Sequence, residues 1–170
     1  MITLDTGSIR FTYRVAGIAM YEQHVLLPHG SNEPCYFPPG GRAEVLETTS
    51  ATLRREMHEE LDIDIPIERL LRVNENFFIQ RNKAFHEVSF YLLMTLPDDP
   101  RLYVKDQLII GKEENGQPLL FAWVPLARLR EITLYPTFLR TALHALPNAI
   151  EHIVHVDEGS VADLRGRMTA

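Results

Sequence analysis

Residues 37–63 read FPPGGRAEVLETTSATLRREMHEELDI. The first five hold two prolines and two glycines, which no regular element accommodates, so we expect a shaped turn there. From Thr48 to about Leu61 the period changes: Leu53, Met57 and Leu61 recur every four residues. This spacing predicts an amphipathic helix with a threonine cap at its start, directly after the turn.

The end of this predicted helix carries three glutamates, Glu56, Glu59 and Glu60, on neighbouring positions of one face. Like charges at this spacing and anions near a helix C-terminus each cost a few tenths of a kcal/mol. One interpretation is an ordinary solvated face. The other is a site for a hard divalent cation such as magnesium or manganese, which removes the repulsion and prefers oxygen ligands. The glycines of the turn can bring backbone groups close to the same ion.

The segment resembles the signature of the Nudix hydrolases: Gly, five residues, Glu, seven residues, then Arg-Glu-apolar-x-Glu-Glu-x-Gly-apolar. The positions in register are Gly41, Glu47, Arg55, Glu56, Met57, Glu59, Glu60 and Ile63. Asp62 stands where the family has a glycine that lets the chain leave the helix in a left-handed conformation. Aspartate is among the few other residues that tolerate this conformation.

The resemblance implies an α/β/α sandwich with a mixed β-sheet and a loop-helix-loop built on the quoted segment. The pattern along the chain agrees, because strand-like stretches precede the helix and follow it, and a second amphipathic helix is predicted over 134–146. No linker divides the chain, so we expect a single domain over 1–157 and a loose tail over 158–170.

The resemblance also implies an activity: metal-dependent cleavage of a pyrophosphate bond in a nucleoside diphosphate linked to another group. The cofactor would be Mg²⁺, or alternatively Mn²⁺. Glu47 would pair with Arg55 to brace the loop against the helix. The implied metal ligands are the Gly41 carbonyl, Glu56, Glu59 and Glu60. A pyrophosphate entering an acidic site needs such an ion to bridge the two sets of negative charge.

The general base is left open among four glutamates. Glu59 of the helix serves in some members of the family. Glu113 and Glu114 lie in GKEENGQP, a stretch similar to the base-bearing loop of the oxidised-guanine triphosphatase prototype. One of them is either the base or an extra metal ligand, or both are solvated glutamates of a loop. Glu87, in FHEVSF, lies on the strand face opposite Val88 and either faces the metals or is a surface charge.

Other residues have two interpretations each. Arg42 follows the glycines and either binds phosphate or is an exposed arginine. Four aromatic residues on predicted strands either stack on a base or belong to the core. They are Phe77, Phe78, Phe85 and Tyr91.

A net charge of -6 and a pI near 5.6 argue against a nucleic acid polymer or an anionic membrane as partner. An anionic ligand therefore needs a local cation. The chain shows no transmembrane or signal-peptide pattern, so we expect a cytoplasmic protein whose partner is a nucleotide-type small molecule, and a homodimer is left open.

Only the absence of known sequence motifs limits the choice of substrate. Motifs that mark coenzyme A, ADP-ribose, dinucleoside polyphosphate and NADH hydrolases of the family are missing, which leaves a nucleoside triphosphate or a nucleotide sugar. Two other classes stay open: a Nudix-fold protein that binds nucleotides without cleaving them, and an acidic domain that serves only interactions.

Overall fold

The computed structural model describes residues 1–30, 35–112 and 116–157. The helices in these ranges are α1 (Thr49–Leu61) and α2 (Leu139–Ala142), and 3-10 turns span Pro100–Leu102 and Leu126–Arg128. The strands are β1 (Thr3–Asp5), β2 (Ile9–Ile18), β3 (Met20–Tyr21), β4 (His24–Gly30), β5 (Cys35–Tyr36), β6 (Gly40–Arg42), β7 (Ile67–Gln80), β8 (Lys83–Met94), β9 (Ile109–Lys112), β10 (Pro118–Pro125), β11 (Thr133–Leu134) and β12 (Glu151–Val156).

The strands form two mixed sheets, and the sequence pattern does not show how they divide between them. The first sheet has the order β1-β2-β8-β7-β12, with β6 paired to β2. The second has the order β11-β5-β4-β10-β9, with β3 paired to β4. Parallel pairs (β2 with β8, β7 with β12, β5 with β11) occur beside antiparallel ones in both.

Two clusters of buried hydrophobic residues lie on opposite faces of the β-strands. Val15 and Leu92 belong to the cluster that holds Leu53 and Met57 of α1. Ala16 and Tyr91, their chain neighbours, belong with Leu139 of α2 to the other cluster. Successive residues of a strand point to opposite faces, so α1 covers one face and α2 the other. The predicted α/β/α sandwich is confirmed.

Helix α1 has both predicted ends. The Thr48 side chain accepts a hydrogen bond from the Ala51 amide at 3.2 Å, which satisfies one of the free N–H groups of the first turn. At the other end Asp62 adopts the left-handed conformation with φ 56° and donates its N–H to the His58 carbonyl. Aspartate therefore performs the helix exit that a glycine would otherwise perform.

The predicted helix over 134–146 is wrong in its extent. Only Leu139–Ala142 form an α-turn, and i to i-3 hydrogen bonds flank it, such as the bond from the Leu139 amide to the Pro136 carbonyl. One reason is the buried guanidinium of Arg72, which donates to the carbonyls of Ala142 and Ala145. This side chain satisfies the last carbonyl groups and ends the helix after one turn.

Some predictions fall outside the described ranges, namely the tail over 158–170 and the two glutamates of the loop, Glu113 and Glu114. The single domain over 1–157 stays a prediction. Within the part of the chain that the structure describes, no helix has both the length and the apolar character needed to span a bilayer.

The loop that joins β6 to α1 contains a strained leucine. Leu46 has φ 69° and its side chain is 99% exposed, so left-handed backbone strain is not offset by burial. We predict that Leu46→Gly raises the free energy of unfolding by about 1 kcal/mol, measured by urea denaturation. Leu46→Ala keeps the strain and is the matched control, so an equal gain in both variants would contradict this explanation.

Candidate active site

The three glutamates at the end of α1 sit in different surroundings. Leu53 and Met57 are fully buried and fix the helix orientation. The Glu56 side chain is 12% exposed, and that of Glu59 is 50% exposed. Glu60 has a buried Oε2 atom without a hydrogen-bond partner among the described residues. The face that carries the charge therefore turns partly inward, which an ordinary solvated face does not do.

The glycine turn lies directly against this helix face. Strand β6 pairs with β2, so that Gly41 stands opposite Val15 and Gly40 opposite Ala16. A Cβ atom on Gly41 would lie less than 3.0 Å from the carboxylate of Glu56. Gly40, with φ 124°, would overlap the Val15 carbonyl in the same way. The carboxylate of Glu56 thus occupies the space that any larger residue at position 41 would take.

Arg55 holds the acidic groups together. Its Nε and Nη2 atoms donate to both oxygens of Glu47, at 2.9 and 3.1 Å. Its Nη1 atom donates to Glu56 at 2.8 Å and to Glu59 at 3.0 Å, and Nη2 also reaches the Arg42 carbonyl. This guanidinium braces the loop against the helix and offsets the repulsion between the carboxylates.

The surroundings shift the pKa of these carboxyl groups in opposite directions. Burial raises the pKa of Glu60 to about 8, against partial compensation from the nearby Arg14 charge. Burial also raises the pKa of Glu56, and the hydrogen bond from Arg55 opposes that rise. The hydrogen bonds from Arg55 lower the pKa of Glu47 to about 2. Glu47 is therefore a charged brace, whereas Glu60 is a buried acid that lacks a positive partner at its Oε2 atom.

We predict a pH-dependent stability of the metal-free protein. Glu60 has a pKa of about 8 when folded and an ordinary value of 4.5 when unfolded, so the folded state binds its proton more tightly. Stability therefore falls as pH rises from about 5 to 8, by up to a few kcal/mol. Urea denaturation in EDTA at a series of pH values measures this fall. The Glu60→Gln variant lacks the titrating group and should show a flatter profile; the same slope in both proteins would contradict the prediction.

A cavity of about 680 Å³ opens beside the glycine turn. The side chains that line it come from β2, β5, β6, β7 and β8, from the start of the glycine turn and from the segments around Tyr135 and Asp157. They are Arg10, Thr12, Arg14, Cys35, Phe37, Arg42, Asn76, Phe78, Ile79, Gln80, Phe85, Glu87, Tyr135, Pro136 and Asp157. The three arginines supply the local cations that an anionic ligand of an acidic protein needs.

The turn connects this cavity to the glutamates of α1. Arg14, in the cavity wall, donates to the carbonyls of Pro38 and Gly40 at 3.3 and 2.9 Å. Its charge also acts on Glu56 and Glu60. Arg14 therefore lies between the cavity, whose wall contains none of the three glutamates, and the acidic helix face.

The structure brings only some of the predicted residues together. Glu87 is in the cavity, where its carboxylate accepts hydrogen bonds from Thr12 and Ser89. Phe78 and Phe85 also line the cavity and stack on each other at 4.7 Å.

Two other predicted aromatic residues are not in the cavity wall. Phe77 stacks on His86, and Tyr91 is a core residue. Glu113 and Glu114 lie outside the described residues.

Sequence reasoning missed Arg14 and Asn76. Arg14 is a polar residue on an alternate position of IRFTYRV, whereas Asn76 ends a run of three polar residues in VNENFF. Alternation predicts which face of the strand Arg14 occupies but not which residues lie beside it, and the polar run around Asn76 does not predict even its face.

The chemistry of these residues fits a hard divalent cation. Among the described residues, no three acidic, histidine or cysteine side chains are already close enough to hold an ion. Arg55 forms hydrogen bonds to both Glu56 and Glu59. However, the donors are all oxygens, and Glu60 has a buried oxygen atom without a partner. Gly41 leaves no side chain between its own backbone and the Glu56 carboxylate. An ion at this place would satisfy the unpartnered oxygen.

The fold is similar to several solved structures. An ADP-ribose pyrophosphatase from Streptococcus suis matches with a TM-score of 0.56 and 14% identity, over 85% of this chain and 98% of that one. A UDP-X diphosphatase matches with a TM-score of 0.55 and 17% identity, over 85% and 66%. A MutT protein from Bacillus halodurans matches with a TM-score of 0.54 and 15% identity, over 85% and 90%. At sequence identities this low, the similarity shows a shared fold and nothing more.

The family is shown by the sequence itself. No curated protein shows a significant match to the chain. A family model described as the NUDIX domain, in contrast, matches residues 11–146. That range includes the glycine turn, α1 and most of the cavity wall. The chain therefore belongs to the NUDIX family of hydrolases.

Proposed function

We propose that this protein hydrolyses a pyrophosphate bond in a nucleoside diphosphate linked to another group, with Mg²⁺ or Mn²⁺ as cofactor. One observation carries the proposal. The glutamates of α1, one of them with a buried oxygen that lacks a partner, meet an arginine-lined cavity across a turn that only glycine fits. Acidic ligands on one side and cations on the other suit a substrate with several phosphate charges.

The residues that would hold the cation are Glu56, Glu59, Glu60 and the carbonyl of Gly41. When bound, the cation supplies positive charge between these carboxylates and the phosphates of the substrate. Arg55 has to release Glu56 and Glu59, and it keeps its two hydrogen bonds to Glu47 while doing so. Glu47 and Arg55 are thus positioning residues in this proposal.

The remaining steps fall to the chain's own side chains. Arg14 and Arg42 line the cavity beside the turn and bind phosphate oxygens of the substrate. Glu59 accepts the proton of the attacking water on its carboxylate. We choose Glu59 because its side chain is more exposed to solvent than that of Glu56, the other helix glutamate that Arg55 contacts. Glutamine replacements at Glu59, Glu113 and Glu114 test this assignment; a large loss of kcat at either loop glutamate alone would move the role there.

The finer substrate is a nucleoside triphosphate or a nucleotide sugar. Two neighbours in fold are named for ADP-ribose and for UDP-linked compounds, which supports a nucleoside diphosphate as the shared part. The second candidate function is nucleotide binding without cleavage. A cytoplasmic location and a homodimer stay predictions.

A substrate screen tests the proposed function. Nucleoside triphosphates, nucleotide sugars and ADP-ribose are incubated with the protein and 5 to 10 mM Mg²⁺, roughly the excess that saturates a weak magnesium site, and released phosphate, pyrophosphate and nucleoside monophosphate are measured. The proposal predicts turnover that EDTA abolishes. Binding of a nucleotide without any product would support the non-catalytic alternative, and neither binding nor product would reject both.

A further inference from the structure

The floor of the cavity is ordered in rows across three strands. In the register of β2, β8 and β7, Glu87 pairs with Thr12 on one side and with Asn76 on the other. Phe85 pairs in the same way with Arg10 and Phe78. These residues line the cavity, so a polar row and an aromatic row lie side by side on one face of the first sheet.

The polar row is rich in hydrogen-bond acceptors. Glu87 accepts from the Ser89 hydroxyl at 2.8 Å and from the Thr12 hydroxyl at 3.3 Å, one on each carboxylate oxygen. A carboxylate has about four acceptor positions, so these two hydroxyls orient the group and leave capacity for a ligand. The hydroxyls donate and the carboxylate only accepts, which makes this row selective for ligand donors.

Asn76 shows that something is missing from the row. It is 5% exposed and lines the cavity, yet its Oδ1 atom has no hydrogen-bond partner among the described residues. A buried carbonyl oxygen without a donor has lost its hydrogen bonds to water and destabilises the ligand-free protein. A ligand N–H group beside Glu87 would satisfy this atom.

The aromatic row provides a flat surface next to these acceptors. Phe78 and Phe85 stack with an interplanar angle of 11°, and the guanidinium of Arg10 lies 5.7 Å from the Phe85 ring centroid. Arg10 is itself held by two hydrogen bonds to Asp5. An aromatic heterocycle can pack here with its edge toward Glu87.

The arginines orient the ligand along the cavity. Arg14 is tied to the glycine turn, and Arg10 lies four residues away on β2, a distance of about 13 Å along a strand. Phosphates belong at the Arg14 end, close to the acidic helix. The heterocycle then lies over the polar and aromatic rows.

We propose that Glu87 and Asn76 determine the specificity of this cavity and select a guanine ring. This inference rests on the proposed function and names its substrate more closely. Guanine presents two neighbouring donors, N1–H and the 2-amino group, which match a carboxylate and a second acceptor. Adenine and cytosine place a lone pair beside their amino group, and uracil places two carbonyls beside its N–H group. Each of these edges would face Glu87 with a repulsive acceptor.

The test compares hydrolysis of GTP, ITP, ATP and UTP with Mg²⁺, and binding of the four corresponding monophosphates in EDTA by calorimetry. Guanine is expected to be preferred over adenine on the order of 100-fold in kcat/KM. Inosine nucleotides, which lack the 2-amino group, should fall in between. The binding series should show the same order.

Variants separate base selection from other roles of Glu87. In Glu87→Gln one acceptor becomes a donor, so the preference for guanine over adenine should shrink at least 10-fold and adenine binding should improve. Asn76→Leu should also weaken the binding of guanine nucleotides and reduce the preference for guanine over adenine. Glu75→Gln is the matched control, because Glu75 lies on β7 beside Asn76, pairs with Val88 next to Glu87, faces away from the cavity and bonds to His152. If Glu87 were instead the general base, kcat would fall equally for all four bases.

The experiments distinguish a failure of the proposed function from a failure of the guanine inference. If neither the triphosphates nor the nucleotide sugars of the substrate screen are hydrolysed but the monophosphates bind in the stated order, the proposed function fails and base selection stands. If hydrolysis occurs without a guanine preference, or if that preference survives in Glu87→Gln, the inference is wrong and the hydrolase assignment stands.

Discussion

The Glu56→Gln variant is expected to lose activity on the order of 1,000-fold in kcat, with little change in stability. Glu56 combines three features: low exposure, direct packing against Gly41 and a hydrogen bond from Arg55. Glutamine has nearly the same shape, so packing is kept, whereas the negative charge that the cation needs is removed. Steady-state kinetics with Mg²⁺ on the best substrate of the screen measures the loss.

Glu131→Gln is the control for this experiment. Glu131 is exposed and bonds to Arg128, so it is also an arginine-paired glutamate but lies outside the cavity and the helix face. Its replacement should leave kcat unchanged. A Glu56→Gln enzyme that keeps a tenth or more of its activity would show that Glu56 is no essential ligand.

Gly41→Ala is expected to have the second largest effect, a loss of roughly 100-fold in kcat/KM. The added methyl group would overlap the Glu56 carboxylate, which must move away from the turn. The backbone at Gly41 needs no left-handed conformation, so the damage comes from this one displaced carboxylate. The comparison of kcat/KM with the urea unfolding midpoint separates a displaced ligand from a destabilised fold.

Gly7→Ala serves as control, since a Cβ atom there meets no atom within 4 Å. Its left-handed φ of 81° should cost about 1 kcal/mol of stability without an effect on activity. Gly41→Ala should show the reverse pattern. Full activity of Gly41→Ala would contradict the close contact between turn and helix on which the site depends.

The sequence predicts local features well because they depend on nearby residues. The threonine cap, which the structure places at Thr48, the burial of Leu53 and Met57 and the left-handed Asp62 are all confirmed. Each follows from chemistry within a few positions along the chain. The face of Glu87 was predictable for the same reason, by alternation along one strand.

The sequence does not predict the cavity, because pairing between distant strands creates it. Thr12 and Glu87 are 75 positions apart and meet only through the parallel pairing of β2 and β8. Arg14 reaches the glycine turn through the pairing of β2 and β6. The shortened α2 has a similar cause, because Arg72 reaches its carbonyls from a strand about 70 residues earlier.

The acidic helix face explains why the chain accepts an unfavourable charge arrangement. Arg55 neutralises part of the repulsion, and Glu60 stays buried with an unpartnered oxygen. The repulsion that Arg55 leaves and the unpartnered oxygen of Glu60 both raise the free energy of the metal-free protein, and a bound cation would remove both costs. The metal-free protein is therefore less stable than it would be without these acidic groups, and cation binding restores this stability.

Calorimetric titration of the protein with Mn²⁺ or Mg²⁺, without substrate, tests this account most directly. We predict a binding event in the wild type that disappears in Glu60→Gln and Glu56→Gln and persists in Glu131→Gln and Glu87→Gln. A wild type that binds neither ion, or a Glu60→Gln variant that binds them as well as the wild type does, would contradict it.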